Sequence, residues 1–226
     1  LELVAPDVMV ISLKLPTNQR LQFLAGQYID ILLKDGKRRS FSLANAPHDD
    51  EYLELHARNY PGGVFTEHVF TNMKVKDMLR FTGPLGSFFL RDTPEECSII
   101  FLASGTGFAP IKSILEHVFH QEGGRHRKRN MTLYWGARTK SDLYLADLAD
   151  KWQREHDNFT FIPVLSDIWK ARINFTPAYG TMAGISEIAK FCIAINTAWI
   201  EFLEDEYFDY DSLEALREYL MGLSHE

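Results

Sequence analysis

Short stretches of alternating apolar and polar residues fill the chain up to about Asp92. A repeat of two residues is the pattern of a β-strand with one buried face, and the Gly, Pro and Asn residues between the stretches favour tight turns. The pattern predicts strands over 8–15, 28–33, 38–44, 52–57 and 77–82, and one short helix over 65–71. Such closely spaced strands are typical of a small antiparallel β-barrel.

After Cys97 the pattern lengthens, and apolar runs alternate with segments of helical spacing. It predicts strands over 98–103, 131–137 and 159–165, and helices over 109–121 and 141–154. Strands that alternate with helices in this way form a parallel sheet. We therefore predict two domains, an antiparallel β-barrel over 1–92 followed by an α/β domain with a parallel sheet over 93–167.

A third region, residues 168–226, differs from the rest of the chain in charge. The formal net charge is −7, yet residues 191–226 alone hold nine acidic residues and one basic residue, Arg217, which leaves the remainder almost neutral. Helical spacing over 184–195 and 211–221 predicts that this atypical acidic segment completes the α/β domain, covers its open sheet edge or pairs with another chain. Docking of a basic electron-transfer partner on this acidic surface is a further hypothesis.

Composition excludes several classes of protein. The chain has 226 residues, 46% of them apolar, which is enough for one large or two small cores, and no apolar run is long enough to cross a bilayer. Cys97 and Cys192 lie far apart and lack the spacing that holds an iron–sulfur cluster. We expect a cytoplasmic protein that binds no nucleic acid and no membrane and has no metal site of its own.

A glycine turn joins the strand predicted over 98–103 to the following helix. Because Gly105 and Gly107 lack a Cβ, the backbone around Thr106 can approach a ligand closely, and the positive end of the helix favours a phosphate there. Pro110 suits the first helical turn, although it stands where the G-x-G-x-x-G pattern has its third glycine. An ordinary connection that binds nothing is the alternative interpretation.

The tetrapeptide Arg39-Ser40-Phe41-Ser42 combines side chains suited to a flat, phosphate-bearing ligand. An arginine can hold a pyrophosphate through two parallel hydrogen bonds, an aromatic ring can lie against a heterocycle, and a serine can hydrogen-bond a ring nitrogen. Alternation places Arg39 and Phe41 on one face of the strand and both serines on the other, so all four contact one ligand only if the strand ends or bends here. The alternative is an ordinary barrel strand.

A second glycine pair precedes the predicted barrel helix. Gly62 and Gly63 lead into that helix, and its free N–H groups together with the Thr66 hydroxyl would accept a phosphate. The alternative is a hairpin turn in which Thr66 only caps the helix.

Taken in order, three motifs resemble the ferredoxin-NADP reductase superfamily of flavoproteins: Arg39-x-Phe41-Ser42, Gly62-Gly63-x-x-Thr66 and Gly105-Thr106-Gly107-x-Ala109-Pro110. Segments 23–28, 39–47, 83–90 and 133–138 are similar to the CDP-6-deoxyglucoseen (CDP-4-keto-6-deoxyglucose) reductases of that superfamily, and the resemblance runs from about Leu3 to Asp167. The superfamily has Tyr where this chain has Phe41, which keeps the stacking face and loses the hydroxyl.

The resemblance implies a flavoprotein that passes hydride from NAD(P)H to FAD and then single electrons to an iron–sulfur centre, in deoxysugar biosynthesis. Arg39 would hold the FAD pyrophosphate beside Ser40. Phe41 would stack on the isoalloxazine, and Ser42 would hydrogen-bond near its N5, where hydride arrives. No side-chain acid or base is needed for the hydride itself.

The remaining motifs are assigned in the same way. The resemblance implies that the flavin phosphate is bound by Gly62, Gly63 and Thr66, and that the pyrophosphate of the nicotinamide dinucleotide is bound by Gly105, Thr106 and Gly107. Arg138 and Asp142 would lie near the adenosine ribose. Arg138 and Lys140 favour a 2′-phosphate while Asp142 opposes it, so the residues leave NADH and NADPH open, and the resemblance favours NADH.

The similar reductases usually carry a plant-type [2Fe-2S] domain before the barrel. Because the chain starts with Leu1 in place of Met, we expect that it begins after such a domain, and that a [2Fe-2S] ferredoxin-type domain or protein accepts its electrons.

One family feature has no match: the Cys-Gly-x-Pro of the last strand is missing, and Cys192 is followed by Ile193. One alternative is a non-catalytic flavin- or nucleotide-binding relic whose altered C-terminus no longer admits nicotinamide. Within the enzyme class, the alternative is an NAD(P)H:flavin or ferric reductase that holds flavin loosely as a substrate.

Overall fold

The computed structural model describes residues 1–16, 19–91, 94, 96–121 and 123–165. Residues 92 and 93, at the predicted domain boundary, lie outside this part of the chain. The whole predicted acidic segment 168–226 also lies outside it, with Cys192 and the helices predicted over 184–195 and 211–221.

Within the described ranges, the first half of the chain folds into two three-stranded antiparallel sheets. One has the order β1-β2-β5, from β1 (Glu2–Ala5), β2 (Val8–Lys14) and β5 (Tyr52–Arg58), and the other has the order β4-β3-β6, from β3 (Tyr28–Leu32), β4 (Arg38–Ser42) and β6 (Arg80–Leu85). A bridge between Leu43 and Leu55 connects them. Their apolar faces pack around Ile29, Ile31 and Leu53, together with Phe65 and Val69 of helix α1 (Val64–Thr71).

The second half alternates strands with helices around a parallel sheet. It runs β7 (Ile99–Ser104), α2 (Phe108–His120), β8 (Met131–Ala137), α3 (Ala146–Glu155) and β9 (Phe159–Leu165), with the strands paired in parallel in the order β7-β8-β9. Phe108 of α2 stacks on Trp135 of β8 with ring centroids 3.9 Å apart at the centre of its core. The predicted fold class, an antiparallel domain followed by a parallel α/β domain, is confirmed.

The structure differs from the sequence pattern at two strands. The strand predicted over 77–82 is present as β6, but it begins only at Arg80 and runs to Leu85. Lys76 takes a left-handed backbone, with φ at 78°, and the Asp77 carboxylate accepts the Lys74 N–H at 2.9 Å, which keeps the preceding segment in a turn. The sequence pattern also missed β1, a four-residue strand that pairs only with β2 in the described sheet.

The second predicted helix of the α/β domain begins five residues later than 141. Lys140–Asp142 forms a 3-10 turn instead, closed by reciprocal hydrogen bonds between Thr139 and Asp142. Tyr144 then turns its hydroxyl toward the barrel, and α3 begins at Ala146.

Candidate active site

A cavity of about 580 Å³ lies where the barrel meets the carboxyl end of β7. Ligands of open α/β sheets bind beyond the carboxyl ends of the strands, and cofactor sites commonly have volumes of about 300–1,000 Å³. Both domains form its wall, through the ends of β4 and β5, the start of α1 and the glycine turn before α2. The lining residues include Arg39, Ser40, Phe41, Ser42, His56, Arg58, Tyr60, Gly63, Thr66, Ser104, Thr106 and Gly107.

The end of β4 brings the whole tetrapeptide to the cavity. Its four residues all line the wall. Residues that alternate along a strand normally lie on opposite faces, but here β4 ends at Ser42, and the next residue, Leu43, already bridges to Leu55 of β5. All four side chains can therefore reach the same cavity. Ser40 Oγ donates a 2.7 Å hydrogen bond to the carboxylate of Asp30 on β3. The strand therefore terminates at the point where such a tetrapeptide can face one ligand.

Phe41 and Arg39 are held in different ways. The Phe41 ring packs against Phe65 of α1 with centroids 5.3 Å apart and planes tilted by 56°, so it belongs to the edge of the barrel core. Arg39 Nη1 donates to the backbone carbonyl of Arg38 at 2.8 Å. Arg39 lines the same cavity, so its guanidinium can hold an anion there.

The start of α1 presents backbone donors to the cavity. The helix begins at Val64 after Gly63, without a side-chain cap, so its first N–H groups have no intrahelical acceptor. Thr66 does not cap the helix, because its hydroxyl donates to the Gly63 carbonyl at 3.1 Å. Gly63 and Thr66 line the cavity, whereas Gly62, with φ at +78°, shapes the turn beside it.

The glycine turn of the α/β domain is a 3-10 turn over Gly105–Gly107 that runs directly into α2. Gly105 has φ at +49°, and a Cβ there would meet Arg58 Nη1 of β5 at 2.7 Å. A Cβ on Gly107 would meet nothing within 4 Å, so this residue is open toward the cavity that it lines. Trp135 Nε1–H donates to the Gly105 carbonyl at 3.0 Å and fixes the turn from below.

Arg138 and Asp142 lie after β8 and do not line this cavity. Asp142 Oδ2 accepts hydrogen bonds from the N–H and hydroxyl of Thr139 at 2.9 and 3.0 Å. Arg138 Nε lies 3.9 Å from the same oxygen, and its side chain is 64% exposed. They stand at the carboxyl edge of the sheet shared with Gly105, and Asp142 already serves to close the turn.

A buried polar network joins the two domains next to the cavity. His56 Nδ1 of β5 lies 2.8 Å from the Tyr144 hydroxyl, and His56 Nε2 lies 2.8 Å from the Glu54 carboxylate. Lys112 Nζ of α2 lies 3.1 Å from the same Glu54 oxygen and 3.0 Å from Glu116. Because an ionised carboxylate only accepts, Nε2 of His56 carries the proton and Nδ1 accepts from Tyr144.

Side chains of α2 also bind the barrel backbone. Lys112 Nζ donates to the Ala44 carbonyl at 3.3 Å, and Ser113 Oγ donates to the Asn45 carbonyl at 2.7 Å. Both side chains are buried. Two kinds of contact therefore hold the domains together: hydrogen bonds from α2 side chains to barrel carbonyls, and the polar network around His56.

The charges of this network are fixed by its surroundings. Burial by itself would raise the pKa of Glu54, but the hydrogen bond from His56 and the charge of Lys112 outweigh it and lower that pKa to about 2. Burial lowers the pKa of His56, with Glu54 opposing, and burial raises the pKa of Tyr144. At neutral pH the network therefore holds an anionic Glu54, a neutral His56 and a protonated Tyr144.

Sequence reasoning missed several residues that shape the cavity. His56 and Arg58 both line it, as does Tyr60, and Tyr144 holds His56 from the other domain. A charged residue and a histidine at the end of an apolar strand were a signal, but Tyr144, the partner of His56, is 88 residues away along the chain.

The part of the chain that the structure describes contains neither a metal-binding cluster nor a membrane-spanning helix. Among these residues no three His, Cys, Asp or Glu side chains are grouped so that they could hold a metal ion. None of the helices described here has both the length and the apolar character needed to cross a membrane.

Comparisons with known protein families match both halves of the chain. Residues 1–90 match the oxidoreductase FAD-binding domain, and residues 101–181 match the oxidoreductase NAD-binding domain. The cavity suits this pair of domains, because both domains form its wall. Arg39 and the start of α1 supply donors on the barrel side, and Gly107 leaves open space on the α/β side.

Individual relatives agree with these matches. The chain is 40% identical over 166 residues to the CDP-6-deoxy-L-threo-D-glycero-4-hexulose-3-dehydrase reductase of Yersinia pseudotuberculosis, which covers 74% of this chain and 48% of the relative. It is 42% identical over 167 residues to reductase component 1 of the terephthalate 1,2-dioxygenase of a Comamonas species, with the same coverage of 74% and 48%. The chain thus spans about half the length of these relatives.

A solved structure shows the same arrangement. The cytochrome P450 reductase GcoB of Amycolatopsis superposes with a TM-score of 0.64 at 36% identity, over 71% of this chain and 48% of that chain. The two domain matches, these relatives and the shared fold show that the chain carries an FAD-binding and an NAD-binding oxidoreductase domain of the ferredoxin reductase family.

Proposed function

We propose that this chain is the flavin-dependent reductase part of an electron-transfer system, taking hydride from NAD(P)H onto FAD and passing electrons singly to an iron–sulfur centre. The observation that carries the proposal is the shared cavity. Arg39, Phe41 and Ser42 of the FAD-binding domain face it from one side, and Thr106 and Gly107 of the NAD-binding domain face it from the other.

FAD supplies the redox chemistry when it is bound, by accepting a hydride and releasing electrons one at a time. The residues of this chain bind, orient and exclude water. We assign the FAD pyrophosphate to Arg39 and the flavin phosphate to the uncapped start of α1 at Gly62, Gly63 and Thr66. Ser42, at the last position of β4, is assigned to the reacting edge of the flavin ring.

The nicotinamide dinucleotide is assigned to the other wall. Its pyrophosphate would be bound by the first turn at Gly105, Thr106 and Gly107, where backbone N–H groups and the start of α2 favour an anion. Arg138 and Asp142, at the end of β8, would lie near its adenosine ribose. We propose NADH as the donor, since the Asp142 carboxylate at this edge opposes a 2′-phosphate.

The acceptor is proposed from the relatives. Their names describe reductases for a hexulose dehydrase, a terephthalate dioxygenase and a cytochrome P450. A separate acceptor is common to such systems, and we propose a [2Fe-2S] ferredoxin-type domain or protein for this chain. The dehydrase reductase supports a deoxysugar pathway as its context.

Two matched variants test the flavin assignments. Purified protein is loaded with FAD, filtered through a gel and mixed anaerobically with NADH while the visible flavin band is followed. Arg39→Ala should lose flavin on the column, because the pyrophosphate loses its guanidinium. Ser42→Ala should keep flavin and bleach more slowly, because only the reacting edge changes. Equal flavin content and equal rates in both variants would refute the assignment.

The wild-type protein distinguishes the alternatives in the same apparatus. Yellow colour that survives gel filtration and rapid bleaching by NADH support the proposal. A colourless protein that reduces added riboflavin would identify a flavin or ferric reductase, and bound flavin that NADH does not bleach would identify a relic. A plant-type [2Fe-2S] ferredoxin, added as the probe acceptor, should then lose its visible absorbance only when NADH is present.

A further inference from the structure

Three histidine rings from the two domains lie together at the domain interface. His48 belongs to the loop that follows β4, and His117 and His120 lie one turn apart on α2. The His48 ring stacks on the His120 ring with centroids 3.6 Å apart and planes 8° apart, and the His48 and His117 centroids are 6.3 Å apart. The proposed function gives these three residues, the histidine cluster, no role, because none of them lines the cavity.

The loop that carries His48 connects the cluster to the cavity. Loop 43–49 begins directly after Ser42, which ends β4 and lines the cavity. Its Asn45 carbonyl accepts a 2.7 Å hydrogen bond from Ser113 Oγ of α2, and Asn45 Nδ2 donates to the backbone of the same loop. A change in the contact between His48 and α2 therefore acts on a loop that continues from the tetrapeptide of the candidate site.

The rings are packed as neutral imidazoles. The amide nitrogen of Gln121 lies 2.9 Å from His117 Nε2 and can only donate, so Nε2 accepts and Nδ1 carries the proton. That Nδ1 is buried and has no hydrogen-bond partner among the described residues. Burial lowers the pKa of His117, and the neighbouring charges of His48 and His120 lower it further. Burial, followed by the charge of His120, also lowers the pKa of His48.

The charged groups around the cluster come from the same two elements. Asp49, next to His48 in the loop, favours the protonated ring, but burial and the second stacked ring outweigh it. Glu116 of α2 forms an ion pair with Lys112 at 3.0 Å. Within the described ranges, no carboxylate forms an ion pair with any ring of the cluster. A proton taken up by the cluster therefore meets other imidazoles rather than a paired counter-charge.

We propose that the histidine cluster is an acid-sensitive contact between the two domains: its neutral rings hold loop 43–49 against α2, and its protonated rings repel each other and release the loop. Like charges about 4 Å apart change an equilibrium constant about fivefold even in water. Acidification should therefore loosen the loop and slow the reduction of bound flavin. Only this effect on flavin reduction rests on the proposed function.

Hydrogen exchange followed by mass spectrometry tests the contact without turnover. The FAD-loaded wild type, His48→Gln and His120→Gln are labelled about one pH unit above and below the ordinary histidine pKa of about 6.5, with correction for the pH dependence of intrinsic exchange. On acidification, the amide protection of loop 43–49 should fall about fivefold more in the wild type than in either variant, because Gln takes up no proton. His68→Gln, at an exposed position of α1, is the matched control and should behave as the wild type.

An NMR titration of the histidine Cε1 protons gives a second readout, which a purely structural role would not move. His120→Gln should raise the pKa of His48, because the repelling neighbour is removed. His68→Gln should leave the titration of His48 unchanged.

The buried His56 also takes up a proton on acidification, but it is present in every variant and cancels from these comparisons. An equal loss of loop protection in the wild type and both cluster variants would overturn the inference, as would a wild-type loop that is equally protected at both pH values.

The consequence for the reaction is measured separately. Anaerobic bleaching of bound flavin by NADH should slow more on acidification in the wild type than in His48→Gln, and equal slowing would overturn the link between the cluster and the site. A wild type that NADH does not bleach at either pH would refute the proposed function, while the exchange experiment would still decide whether the contact is acid-sensitive.

Discussion

Lys112 is the buried cation that holds the two domains together, and its replacement by Met gives the sharpest prediction about the interface. The Nζ atom lies 3.1 Å from Glu54, 3.0 Å from Glu116 and 3.3 Å from the Ala44 carbonyl, and the residue is only 7% exposed. Met keeps most of the aliphatic stem. The variant therefore removes the charge while changing the packing little.

The expected loss follows from the two carboxylates that remain. Removing one partner of a buried ion pair costs about 3–5 kcal/mol, because the other charge is left uncompensated. Here Glu54 and Glu116 keep 27% and 28% of their side-chain surface exposed, and Glu54 keeps its hydrogen bond to His56. We therefore expect a loss near the lower limit, about 3 kcal/mol in the free energy of unfolding.

Denaturant unfolding followed by tryptophan fluorescence measures this loss. Lys151→Met is the matched control, because Lys151 has the same spacing to Glu155 but is 59% exposed, and we expect a loss of at most about 0.5 kcal/mol.

The pH dependence separates charge from packing. Without Lys112 the folded-state pKa values of Glu54 and Glu116 rise, so these carboxylates take up protons more readily and lose their uncompensated charge. The difference in the free energy of unfolding between the variant and the wild type should therefore shrink as the pH is lowered from 8 to 5. The double variant Lys112→Met/Glu116→Gln lacks one of the two uncompensated charges, so it should recover part of the lost free energy of unfolding. If the variant and the wild type differed by the same free energy of unfolding at both pH values, or if Lys112→Met lost no more than Lys151→Met, then Lys112 would not compensate the charges of Glu54 and Glu116.

Three further predictions concern the domain interface and the glycine turn beside it. Tyr144→Phe should lower the free energy of unfolding by about 1–3 kcal/mol, because His56 Nδ1 is left buried without its donor, and an unchanged denaturation midpoint would contradict this. Burial depresses the folded-state pKa of His56 below its ordinary 6.5, so the unfolded chain binds more protons and stability should fall as the pH drops below about 6.5, less steeply in His56→Gln; the slope limit is about 1.4 kcal/mol per pH unit for one proton. Trp135→Phe should cost about 1–3 kcal/mol through the stranded Gly105 carbonyl and weaken NAD⁺ binding in a titration, whereas unaltered affinity would show that the turn does not need this tie.

Local sequence patterns predicted the framework of the protein well. Alternation located β2, β3 and β5, and the apolar run before Gly105 located β7 and its glycine turn. Those elements depend on residues that are neighbours along the chain, and period and turn chemistry report them directly.

Predictions failed where side chains compete for the backbone. The Thr139 and Asp142 side chains close a 3-10 turn where helical spacing alone predicted the start of a helix. A similar bond from Asp77 to the Lys74 N–H delays β6. Such local hydrogen bonds outweigh the weak signal of periodicity at the ends of elements.

The cavity shows a different limit. The sequence identified Arg39 and Thr106 as candidates because each belongs to a short motif, and both line the cavity. It could not identify Arg58 or His56, whose meaning comes from Gly105 and Tyr144 in the other domain. Contacts between residues of different domains produce no periodic pattern along the sequence, so the roles of these residues can be recognised only in the folded structure.

We propose that the cavity holds a flavin ring with a nicotinamide lying against it. The most direct measurement reduces FAD-loaded protein anaerobically and titrates it with NAD⁺ while the absorption spectrum is recorded. We expect a broad long-wavelength charge-transfer band that grows with NAD⁺. A protein that retains no FAD, or one whose spectrum does not respond to NAD⁺ at any concentration, would contradict it.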